Sequence, residues 1–122
     1  MAEAAGKTSS ACIFCRIASG DARADIVHQD DAVVGFRDLN PQAPMHVLVI
    51  PRKHIPSLRD LSEEDDTLVG RLVRVCAKLA EAEGKAEAGF RVVANSGPSA
   101  GQSVDHLHLH VLAGRSLGWP PG

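Results

Sequence analysis

SVDHLHLHVL, residues 103–112, decides how the chain is read. His106, His108 and His110 recur at every second position, with Leu107, Leu109 and Val111 between and after them. On a helix His106 and His110 would share a face and His108 would point away. On a strand all three imidazoles project to one side, about 7 Å apart, and the leucines and valine cover the other. Strict period-two alternation with apolar and β-branched neighbours predicts the strand. The stretch then has one apolar face and one imidazole face.

Working outward, MHVLVIP (45–51) predicts a strand stopped at Pro51, and GFRVVANSG (89–97) another, joined to the histidine strand by the Gly/Ser-rich loop NSGPSAGQS. Two further strands, about Asp25–Gln29 and Ala32–Arg37, meet at the acidic pair Asp30–Asp31, and DLNPQAP is a loop because Pro41 and Pro44 block ladder bonding. One long helix is predicted from about Glu63 to Glu83. Ser62 is the N-cap with Asp65 three residues on, four acidic residues load the first turn, and Gly84 is the stop. Leu68, Leu72, Val75, Cys76 and Leu79 give its buried stripe. CIFCRIASG predicts a short helical turn closed by Gly20; MAEAAGKTSS, residues 1–10, reads as a flexible tail, and GRSLGWPPG is not helical. The whole is an α+β domain over 11–122, with five strands in a mostly antiparallel sheet, one long helix and one short one.

Composition narrows the function. A chain of 122 residues with 13 basic and 15 acidic side chains, formal charge −2 and no charge block, offers no polybasic surface for nucleic acid or a membrane. No apolar run approaches a membrane span and no signal-peptide core precedes the domain, so a soluble, cytoplasmic protein is expected. Three cysteines, an odd number, argue against a secreted disulfide framework, and Cys76 reads as a core residue.

The imidazole row has three readings: a solvated strand face, a metal site, or nucleophilic and acid–base chemistry. A phosphate substrate suits the last, one imidazole attacking phosphorus while its neighbours bond the oxygens where charge builds. The SGPSAGQS loop supports it, since glycine lets backbone N–H groups approach an anion and Ser103 adds a hydroxyl. Cys12 and Cys15 form a lone C-x-x-C, readable as a redox dithiol, half a zinc site or two small buried residues. A zinc site would have to recruit histidines, and His54 and His106 are available. His28 reads as a surface or packing residue.

H-x-H-x-H followed by two apolar residues resembles the signature of the histidine triad superfamily. FRDLNPQAPMHVLVIPRKHI (36–55), GQSVDHLHLHVLAGR (101–115) and the terminal WPPG (119–122) resemble its nucleotide-binding, adenosine 5′-monophosphoramidase branch, and the likeness runs from about Cys12 to Gly122. The resemblance implies that fold, a homodimer, and a purine nucleoside monophosphate site. It assigns His108 as nucleophile, with His110, His46 and Ser103 in support. Phe14, Ile17 and Phe36 would hold the base and Asp38 the ribose hydroxyls. Asn95, Gly101, Gln102, Ser103 and Val104 would lie along the phosphate and sugar, and Trp119 would tune leaving-group selectivity. Other triad proteins hold zinc through C-x-x-C and two histidines, which here match Cys12, Cys15, His54 and His106. Asp105 stands where the branch often has an aromatic residue. No cofactor is required for catalysis on this reading.

The expected activity is therefore cleavage of the P–N bond of adenosine phosphoramidates, and of acyl-adenylates, through a nucleotidyl-histidine. Dinucleoside polyphosphate hydrolysis, a nucleotide-binding adaptor with incidental turnover, and a metal-dependent hydrolase are the competing readings.

Overall fold

The computed structural model describes residues 11–122; the expected N-terminal tail lies outside the described residues. The elements are α1 (Ile13–Ser19), β1 (Ile26–Gln29), β2 (Val33–Arg37), β3 (Met45–Pro51), α2 (Asp66–Ala82), β4 (Phe90–Val93) and β5 (Leu109–Ala113). All strand pairs are antiparallel, in the order β1-β2-β3-β5-β4. No described helix is long and apolar enough to cross a membrane.

Alternation along the central strands divides the protein into two layers of core. Val33, Val47, Val49, Leu109 and Val111 face α2 and pack on Leu72, Val75, Cys76 and Leu79. Val34, Phe36, Leu48 and Ile50 face the other way and pack on Phe14 and Ala18 of α1. Both faces of β2 and β3 are thus covered, which is why β3 is buried at all seven positions. The long helix lies close to the sheet at Gly35, where an added Cβ would come within 3.3 Å of Leu79 Cδ1. A larger residue there would require Leu79 to give by a few tenths of an ångström. Cys76 is fully buried, and burial pushes its thiol up to about 12.

Three element boundaries differ from the sequence expectation for identifiable reasons. The long helix opens with a 3₁₀ turn, Glu63–Asp65, before the α-helix begins. There the Asp65 carboxylate accepts the Ser62 N–H at 3.0 Å and receives Lys53 from outside, tightening the first turn around a buried acid. The fourth strand is four residues rather than nine. The histidine strand is also short: regular pairing begins only at Leu109, so of the three histidines His110 alone lies in β5. Its partner β3 ends at Pro51, which has no N–H to give, and Leu107 donates its own N–H at 2.6 Å to Ile55 O in the segment beyond. The side chains nevertheless keep to one side, because Phe14 meets the rings of both His106 and His108 edge-on, at 5.9 and 5.1 Å.

Candidate active site

The register puts the site together. Phe36 on β2 pairs with Leu48 on β3, and Leu48 pairs with His110 on β5, so these three form a floor across the α1 face of the sheet. Above it lies a cavity of about 250 Å³, walled by Phe14, Ile17 and Ala24. His108 and His110 close one end, Ser103 and Val104 lie beside them, and Asp38 and Leu39 are at the rim. Phe14 and Phe36 meet edge to face at 5.4 Å, giving an apolar slot with aromatic sides.

Backbone partners fix the proton on His46 and His108, and His46 in turn fixes that on His110. The Gln42 N–H donates to His46 Nδ1 at 3.0 Å, so that nitrogen is unprotonated and the neutral ring carries its proton on Nε2. Nε2 lies 2.9 Å from His110 Nδ1 and 3.4 Å from an Asp38 oxygen. His110 Nδ1 therefore accepts, and its own proton sits on Nε2. His108 Nδ1 is 2.7 Å from the His106 carbonyl, which can only accept, so Nδ1 carries the proton and Nε2 keeps its lone pair. His108 Nε2 thus offers a lone pair, and His110 Nε2 an N–H. Burial, with His108 and His46 adding to it and Asp38 opposing, holds His110 down to about 4. Burial likewise lowers His46, against the pull of Asp38. Both rings are neutral at neutral pH, and the relay from Gln42 to His110 Nε2 is set without a titration.

The three imidazoles do not converge on one ion, since each is bound to a different partner. His106 turns away from the cavity. Its Nε2 donates to Pro51 O at 2.8 Å, leaving Nδ1 free to face Cys12 Sγ at 3.3 Å, Cys15 Sγ at 3.5 Å and His54 Nδ1 at 3.2 Å. Those four atoms form a compact group. Tetrahedral zinc, with bonds of about 2.3 Å to sulfur and 2.0–2.1 Å to nitrogen, would place such ligands about 3.3–3.8 Å apart. The donor set and its spacing fit zinc, and the Pro51 carbonyl, accepting from Nε2, fixes the tautomer that a ligating His106 needs. The spacing of the cysteines has a local cause as well: Cys12 is the N-cap of α1, its sulfur accepting the Cys15 N–H at 3.3 Å. Gly20, at φ 88°, ends the same helix in the left-handed region.

Several predicted site residues lie elsewhere than in the cavity wall. Asn95 follows β4, whose Val93 pairs with His110, but does not line the cavity. Gln102 spends its side chain inside the loop: it donates to Pro56 O at 2.7 Å and Val104 O at 3.0 Å, and accepts the Gly97 N–H at 2.9 Å. With Gly101 at φ 88°, it gives the 97–104 segment its shape. Trp119 is 84% exposed and touches nothing in the cavity of its own chain. Asp105 is exposed beside His106.

Sequence reasoning missed Arg52, which donates to Asp30 O and Ala18 O and so ties the end of α1 to the β1–β2 turn. It also missed the wall and rim residues Ile13, Arg23, Ala24, Arg37, Leu39 and Leu48. Leu48 could have been found from the alternation on β3 that carries His46; the others have no signal in the sequence.

The HIT domain family matches residues 19–117. The chain belongs to that family. Among HIT relatives, the purine nucleoside phosphoramidase of Escherichia coli (strain K12) is 48% identical over 106 residues, covering 87% of this chain and 89% of that protein. A HIT family hydrolase from Legionella pneumophila superposes with a TM-score of 0.90 at 46% identity, over 91% of this chain and 99% of that one. A histidine triad nucleotide-binding protein from Candida albicans gives a TM-score of 0.76 at 30% identity, over 89% of this chain and 82% of that one. The HIT match leaves out Cys12, Phe14, Cys15, Ile17 and Trp119.

Proposed function

We propose that this protein is a purine nucleoside phosphoramidase, a hydrolase of the HIT type that cleaves the P–N bond of nucleoside 5′-phosphoramidates. The observation that carries the reading is the proton assignment: a buried imidazole with its lone pair toward the cavity, beside a second imidazole offering an N–H. The 48% identity to the Escherichia coli enzyme supports the same activity.

In this reading the base lies in the apolar cavity lined by Phe14, Ile17 and Phe36, and Asp38 at the rim takes the ribose hydroxyls. His108 Nε2 attacks the α-phosphorus, the P–N bond breaks, and the amine leaves with a proton passed from solvent through the exposed Ser103 hydroxyl. His108 is then a phosphorylated imidazolium, and the His106 carbonyl already bonded to Nδ1–H stabilises the developing charge. The His110 Nε2–H bonds a phosphoryl oxygen, its orientation held through His46 and Gln42. Water then attacks phosphorus, restoring His108 and releasing the monophosphate. Acyl-adenylates would follow the same path with a carboxylate leaving. Asn95, Gly101, Gln102 and Val104 belong to the phosphate side as loop and backbone elements.

Cys12, Cys15, His54 and His106 would hold one zinc ion, whose part is structural. It takes no step in catalysis. A cytoplasmic setting belongs to the same reading, since an odd number of cysteines argues against a secreted disulfide framework.

Steady-state turnover of adenosine phosphoramidate, set beside diadenosine polyphosphate, tests the activity. Preferred turnover of the phosphoramidate is expected. Binding with negligible turnover would make the protein an adaptor, and preference for the polyphosphate would make it a dinucleoside polyphosphate hydrolase.

A homodimer completes the reading. β4 is an edge strand with Val92 exposed, α2 exposes Val73 and half-buries Val69, and the tail carries an exposed Trp119 between Gly118 and Pro120. Together these leave an edge, a helix face and a stiff apolar anchor for a second copy. Sedimentation at micromolar concentration is expected to give a dimer, and Trp119→Ala to change discrimination between leaving groups more than monophosphate binding. A monomer, or unchanged selectivity, contradicts it.

A further inference from the structure

Two arginines line the cavity, and they differ in one respect. Arg37 is held, with Glu83 at 2.8 Å and Asp25 at 3.7 Å. Arg23 makes no hydrogen bond or ion pair among the described residues. Its guanidinium is a solvent-exposed cation at the wall of an apolar slot, with five donors and no acceptor to satisfy them.

The sheet register says which end of the slot it occupies. The floor runs from His110 through Leu48 to Phe36, two inter-strand steps or about 10 Å. Arg23 lies beyond Phe36, three residues before Ile26, which pairs with Phe36 from the outer side. It therefore sits at the end opposite the histidines. Its backbone is also pinned on both sides. The N–H groups of Asp21 and Ala22 bond Arg16 O at the end of α1, and Asp25 O accepts the Arg37 N–H at the start of the sheet.

A purine nucleotide with its phosphate at His108 would point the far edge of its base at this residue. The six-membered ring leads there, and a 6-oxopurine brings O6 at its corner with N7 on the adjoining edge, two acceptors that the fork of a guanidinium can reach together. Adenine replaces O6 with an amino donor that an arginine cannot satisfy. We propose that Arg23 reads this edge and makes the protein prefer guanosine and inosine monophosphates over adenosine monophosphate. The inference rests on the nucleotide reading of the cavity and extends it to the choice of base.

Calorimetric titration with GMP, IMP and AMP tests it on the native protein and on Arg23→Met, which keeps an apolar stem of similar reach. GMP and IMP are expected to bind about tenfold more tightly than AMP, the size of one good bidentate contact. In Arg23→Met the three affinities should converge on that of AMP. Equal native affinities, a preference that survives the substitution, or a uniform loss for all three (an arginine merely stacked on the base) would overturn the role of Arg23 and leave the nucleotide site standing. If none of the three binds, the nucleotide reading itself falls.

Discussion

Replacing His108 with alanine is expected to lower turnover by about 10⁴-fold or more, the loss typical when a covalent nucleophile is removed from an otherwise intact site. Monophosphate binding should change little, because the slot residues Phe14, Ile17 and Phe36 do not depend on the imidazole for their positions. Phe14 is packed against Phe36 and His106 as well as His108. A rate defect without a binding defect separates chemistry from folding. Rapidly quenched reactions of the native protein should contain an acid-labile phosphorus–nitrogen adduct, absent from the variant. Near-native turnover in His108→Ala would sink the assignment. His46→Ala should be milder, since His46 acts through His110 and removes one donor's orientation rather than the attacking atom.

How much of this was legible beforehand can be judged residue by residue. The alternation of 106–111 correctly gives the side on which each residue projects. It cannot give the length of the strand, because that depends on which N–H groups find partners. Pro51 withholds one and Ile55 O captures that of Leu107, and both lie more than fifty residues away in sequence. The roles of the histidines were likewise distributed by backbone carbonyls and amides, which every residue possesses and no motif marks. Nothing in His106 itself says that Pro51 O would accept its Nε2–H and turn Nδ1 toward two cysteines. The long helix was legible because its cap, charge and periodicity are all local. The loop carrying Gln102 was not, because its side chain answers to Pro56 and Val104 rather than to a ligand. Arg52, clamping α1 to a distant turn, is a surface-type residue whose function exists only in the folded protein.

Loss of zinc should be felt first in α1 and only through it in catalysis. At seven residues α1 is far below the length at which an isolated helix persists in water. It is held by Phe14 and Ala18 in the core, by Arg52, and by the group formed from its own Cys12 and Cys15 with His54 and His106. Carefully purified protein is expected to contain close to one zinc per chain. Cys15→Ser should abolish it and lower Tm on the order of 10 °C, equivalent to a few kcal/mol lost from a domain of this size. The same variant should raise KM more than it lowers kcat, because Phe14 and Ile17 are the slot wall that α1 supplies, whereas the His108–His106 bond is made by a neighbouring backbone carbonyl. Cys76→Ala is the control. It removes a buried thiol from the α2 face, so it should lower Tm through packing while leaving the zinc content and KM unchanged. If the native protein carries reduced thiols and no metal, or if Cys15→Ser and Cys76→Ala leave the same zinc content, then Cys12 and Cys15 are two small residues at the start of a helix and the zinc assignment is wrong.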